Sequence, residues 1–78
     1  MRVWAVILNP DNKEEEKFEI LDTNFVPETN AVIILKRGDE VTRASVVKTE
    51  SVLDREGENA DYIFNVFIKI LPPEENVN

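Results

Sequence analysis

"AVIILKRGDEVTRASVVK", residues 31–48, decides how this chain folds. Two runs rich in β-branched residues flank the dipeptide Gly38-Asp39. Glycine at the first central position suits a two-residue type II′ hairpin, and Gly-Asp is also compatible with type I′. The turn fixes the register. Arg37 pairs with Glu40, Lys36 with Val41, Leu35 with Thr42, Ile34 with Arg43 and Ile33 with Ala44.

Side chains alternate across a sheet, so this register sorts them into two faces. One face carries Ala31, Ile33, Leu35, Thr42, Ala44 and Val46, and is the expected core. The other carries Val32, Ile34, Val41 and Val47 together with Lys36, Arg43 and Ser45. Lys48 belongs to a different parity unless a bulge near Val46-Val47 shifts it.

The hairpin tip also spells Arg37-Gly38-Asp39, which on a secreted protein suggests an integrin ligand. A tripeptide match has a high false-positive rate. The chain has no cysteine and no segment resembling a secretory leader. The tripeptide is therefore expected to turn the chain, with Arg37 and Glu40 pairing across the first rung.

Outward from the hairpin, three more segments carry the β signal. "RVWAVIL", residues 2–8, has apolar residues at both parities and reads as a strand buried on both faces. Asn9-Pro10-Asp11-Asn12 ends it with turn chemistry. "KEEE" then reads as a solvated run at the entry to a second strand, "KFEILDT", residues 17–23. In "NFVPETN", Pro27 marks a loop or an edge, and Phe25 and Val26 are candidates to plug an open end of the core. "YIFNVFIKIL", residues 62–71, is the most apolar segment, with Phe64, Val66 and Ile68 expected in the core. Pro72-Pro73 stops it.

Residues 49–61 are less decisive. They read as an extension of the fourth strand with a long turn around Glu56-Gly57-Glu58-Asn59. The alternative is one helical turn near 50–56, capped by Thr49 and stopped by Gly57. The fold class that follows is all-β: a small five-stranded antiparallel barrel or rolled sheet, forming a single domain over 1–72 with a disordered tail at 73–78.

The 78 residues include sixteen acidic and nine basic side chains, for a net charge of −7. That balance disfavours nucleic acid unless the cations are gathered on one face. No apolar run approaches the ~20 residues of a membrane span, so no membrane partner is expected. The absence of cysteine suits a reducing setting, and a cytoplasmic location is expected.

The catalytic inventory is thin. With no histidine and no cysteine, the usual neutral-pH base, the thiolate nucleophile and most zinc or iron sites are missing. Ser45 and Ser51 lack an activating partner, and two distant glycines build no phosphate-binding loop. The carboxylates at Asp11 and Glu14–Glu16 lack the spacing of a calcium loop. No catalytic residue, metal or cofactor is expected, and the protein is expected not to be an enzyme.

What remains is binding. The expected function is that of a small regulatory or inhibitory accessory domain that contacts another protein or a second copy of itself. The candidate contact residues are Trp4, Ile34, Lys36, Val41 and Arg43. Two alternatives stand beside it. The acidic rows could imitate nucleic acid, or a cationic face could bind RNA or single-stranded DNA with help from aromatic side chains.

Overall fold

The computed structural model describes residues 1–72. The tail expected at 73–78 lies outside the described residues. Five strands form: β1 (Arg2–Leu8), β2 (Glu14–Ile20), β3 (Val32–Arg37), β4 (Glu40–Glu56) and β5 (Asn59–Ile70). They make one mixed sheet in the order β2-β1-β5-β4-β3, rolled into a half-barrel.

The β3–β4 hairpin adopts the register expected from its turn, from Arg37 opposite Glu40 to Ile33 opposite Ala44. Gly38 has φ 61 whereas Asp39 has no positive φ, which is the pattern of a type II′ turn. Gly57, at φ 61, repeats the device between Glu56 and Asn59. Two-residue turns of this kind match the right-handed twist of the strands they join.

Two expectations need correction, and one open alternative is decided. The sheet is not antiparallel throughout, because β1 runs parallel to β5, with Val3 beside Phe64 and Ile7 beside Ile68. β1 is apolar at both parities and β5 is unbroken at one, with Ile63 and Phe67 at the other, and such strands are suited to an interior position with a neighbour on each side. The second strand begins at Glu14 instead of residue 17, so the acidic run belongs to the ladder. On an edge strand the backbone supplies the pairing, and charged side chains are tolerated on its solvent side. At residues 50–56 the extended reading holds and the alternative helical turn does not form. They continue β4, pairing with β5 from Glu50–Asn65 to Glu56–Asn59.

The core lies on the concave side. Val3, Ala5, Ile7, Ala44, Val46, Val66 and Ile68 form its buried cluster. Phe18, Ile20, Val26, Ala31, Ile33, Leu35, Phe64 and Ile70 pack around it. Each fully buried aliphatic side chain contributes roughly 1.5–3 kcal/mol. β1 is buried on its convex side too: Val6 lies in register between Lys17 and Phe67, and Leu8 beside Lys69.

Residues 21–31 carry the chain from one sheet edge, β2, to the other, β3. Val26 packs on the core as a plug, whereas Phe25 remains exposed. Asp22 and Asn30 take positive φ in this crossing, a conformation that Asn and Asp adopt more readily than other residues bearing a Cβ. Asn30 and Ala31 then exchange backbone hydrogen bonds with Val46, at 2.8 and 2.9 Å. The ladder slips at this level. Val46 faces Ile68 and Lys48 faces Phe67, so Val47 is the extra residue of a β-bulge.

Beyond the bulge the sheet narrows. β1 reaches β5 only from Ile63 onward, and β3 reaches β4 only up to Ser45. Residues 53–62 therefore continue as a two-stranded arm. The molecule measures 50 × 25 × 20 Å, with a radius of gyration of 14.0 Å. A compact chain of this length would have a radius near 11.5 Å, about a fifth smaller. Among the described residues, no helix is long and apolar enough to cross a membrane.

Candidate functional site

The convex face is built by the strand residues whose parity opposes the core. The bulge at Val47 matters here, because it returns Lys48 to the convex side opposite Phe67. Register then places Arg2, Lys17, Lys36, Arg43, Lys48 and Lys69 on this face, six of the nine cations of the chain. The same register places Glu14, Glu19, Glu50, Asp54, Glu56 and Asp61 on this face too, so its cations stand among carboxylates, with Lys36 and Arg43 together on the hairpin.

The five residues expected to bind all lie on the convex side but do not form one cluster. Ile34, Lys36, Val41 and Arg43 sit together on the β3–β4 hairpin, with Ile34 opposite Arg43 and Lys36 opposite Val41. Ile34 and Val41 are 53% and 59% exposed, although both are large aliphatic residues in regular strands. Trp4 is level with Asn65 on β5, whereas the Arg43 carbonyl accepts a bond from the Leu71 N–H. Six residues of strand separate those levels, roughly 20 Å.

Trp4 instead centres a second group that sequence reasoning did not assemble. The Arg2 guanidinium and the Lys17 ammonium lie 5.7 and 5.5 Å from its ring. On the neighbouring strand, Lys48 lies 4.6 Å from the Phe67 ring. These are cation–π distances. The turn and antiparallel sense joining β1 to β2 were legible in the sequence; the register of the pair, which sets Lys17 beside Val6, was not. Asn65 lies between Trp4 and Glu50 in register, and its buried Oδ1 has no hydrogen-bond partner.

Two pairs temper the charge of this group. Arg2 Nε donates to Glu19 Oε2 at 3.0 Å, and Lys48 Nζ lies 3.5 Å from Glu50 Oε2. The hydrogen bond to Arg2 holds the Glu19 carboxyl below its ordinary value. Charge attraction adds to that effect and partial desolvation opposes it.

Further carboxylates gather at the two ends of the molecule. Asp11 and Glu14–Glu16 lie at the end where β1 turns into β2. Asp54, Glu56, Glu58 and Asp61 lie on the arm, at the opposite end of the molecule. Among the described residues, no three acidic groups converge as cation ligands. On the arm, Asp54 faces Asp61 directly across the ladder, and the two help line a hollow of about 160 Å³ with Glu56 and Asn59. Like charges directly opposite destabilise a strand pair.

A larger groove of about 470 Å³ opens beneath the 21–31 crossing, lined by Ile20, Thr23, Phe25, Pro27, Ala31 and Ile33 among others. It is apolar and lies apart from the convex cations.

These features define a small mixed-sheet half-barrel whose convex face is basic at the β3–β4 hairpin and acidic at the arm. Comparison with protein-family models, curated proteins and solved structures finds no match to the chain.

Proposed function

We propose that this protein is a non-catalytic binding domain that contacts another protein through the convex face of its β3–β4 hairpin. One observation carries the reading. Ile34 and Val41 stand exposed on a regular sheet surface, flanked by Lys36 and Arg43. Aliphatic side chains framed by cations suit a protein contact whose centre is apolar and whose rim is charged. A regulatory or inhibitory accessory role in the cytoplasm fits the absence of histidine and cysteine.

Affinity capture with two baits tests this. The wild-type chain is expected to retain a specific protein that Ile34→Asp with Val41→Asp loses, while both baits keep the same circular dichroism. Equal retention by the two baits would overturn the reading.

A second reading, binding of RNA or single-stranded DNA, is favoured by the six convex cations and by Trp4 and Phe67 among them. Trp4 is the one tryptophan of the chain, so its fluorescence would report an oligonucleotide directly. Quenching that fades with salt supports this reading, and an unchanged spectrum removes it. Imitation of nucleic acid by the acidic residues is less well supported, because the two carboxylate groups occupy opposite ends and form no continuous row.

A further inference from the structure

The arm is poorly suited to standing alone. All its residues from Glu50 to Tyr62 are exposed, including Val52, Leu53 and Tyr62. An isolated two-stranded hairpin is marginal in water. This one also carries the Asp54–Asp61 repulsion, tempered by the Met1 ammonium 3.6 Å from Asp61 and by the charge of Arg2. Its convex side presents Asp54, Glu56, Asn59 and Asp61, which is acidic, with the apolar Val52 at its base. The hairpin patch at the other end of the same face presents Ile34, Val41, Lys36 and Arg43, which is apolar and basic.

The two surfaces are complementary, yet one molecule cannot join them. Asp54 stands thirteen positions beyond Val41 on β4, roughly 40 Å of strand. The contact is therefore between molecules. A two-fold axis across the long dimension sets each arm on the other copy's hairpin and forms both contacts in one operation, a closed arrangement.

We infer that the arm of one copy, residues 53–62, docks by its acidic convex side on the Ile34–Lys36–Val41–Arg43 patch of a second copy. This rests on the reading of that patch as a protein-contact surface, and it names the partner. The extended shape agrees with it, because a protomer with a radius of gyration of 14.0 Å leaves a limb unpacked that a second copy covers.

Sedimentation equilibrium on charge-swapped chains tests the inference. The wild-type chain is expected at twice the mass of one chain, with dissociation favoured as salt rises. Asp54→Lys with Glu56→Lys reverses the arm, and Lys36→Glu with Arg43→Glu reverses the patch. Each variant alone is expected as a single chain, because arm and patch then carry the same sign. Mixed one to one, the two variants are expected to recover the doubled mass, since both contacts of the mixed pair are again complementary.

Recovery in the mixture also shows that the variants are folded. Asp54→Lys, moreover, removes a repulsive rung within the arm. Three results would overturn the inference: a wild-type chain that stays single, variants that remain doubled on their own, or a mixture that stays single. If the wild type is single while protein capture still depends on Ile34 and Val41, the binding-domain reading stands and the second copy is excluded.

Discussion

Arg37 Nη2 lies 2.7 Å from Glu16 Oε2, and this ion pair joins β2 to β3, the two edge strands of the sheet. Arg37 was expected to pair with Glu40 across the first rung of its own hairpin. It reaches over the concave mouth instead, because it shares the parity of Ile33 and Leu35, and Glu16 shares that of Phe18 and Ile20. The Arg-Gly-Asp tripeptide is thereby accounted for by the fold, Gly38 turning the chain and Arg37 bracing the roll. Both side chains are about half exposed, which limits the pair to roughly 0.2–1 kcal/mol. A double-mutant cycle of Arg37→Ala and Glu16→Ala, followed by urea unfolding, is expected to return a coupling in that range. No coupling would show that the edges hold together without it.

Ile7 is fully buried between Glu16 on β2 and Ile68 on β5. Ile7→Ala is expected to cost about 2–5 kcal/mol through lost burial and the cavity left behind. Small domains hold only about 5–15 kcal/mol in total, so this one change should bring the chain close to unfolding. Circular dichroism during thermal melting measures it. A loss under about 1 kcal/mol would mean the site collapses freely or is not core.

Thr49 faces Val66 on the core side, and its Oγ1 is buried without a hydrogen-bond partner. Removing an unpaired buried hydroxyl without changing the shape of the side chain relieves a cost of order 1 kcal/mol. Thr49→Val is accordingly expected to raise the melting temperature. A fall would indicate that the hydroxyl is satisfied in solution.

Glu19 supplies a pH dependence. Its carboxyl is held below the usual value near 4.5 in the folded chain, chiefly by the hydrogen bond from Arg2. A group whose folded pKa is depressed contributes stability above its unfolded pKa and loses that contribution as pH falls through the folded value. The wild type should therefore out-melt Glu19→Gln at neutral pH, with the gap closing in acid. A gap that stays constant across the series would assign the difference to something other than titration.

The sequence made the β3–β4 hairpin legible because Gly38-Asp39 sets both turn and register, and alternation does the rest. Leu35, Ile33, Ala44 and Val46 followed from that register, as did Phe64, Val66 and Ile68 from the uninterrupted parity of their strand. The parallel pairing of β1 with β5 was not legible, since it joins segments sixty residues apart with no local signal. The arm was obscured for a different reason. Its rungs are held by backbone bonds, while side chains such as Asp54, Arg55 and Glu56 carry no apolar alternation. The candidate patch was found by parity alone. Trp4 was joined to it as an aromatic anchor, and nothing local to its strand, apolar at both parities, fixes its position relative to the hairpin.

Amide chemical shifts followed through a dilution series test most directly the claim that the hairpin patch is a contact surface and the arm its partner. The amides of residues 34–43 and 53–61 are expected to move together as the chain is diluted, while Thr23 and Phe25 at the concave groove stay fixed. Shifts confined to the groove, or no shifts at any concentration, would contradict the account.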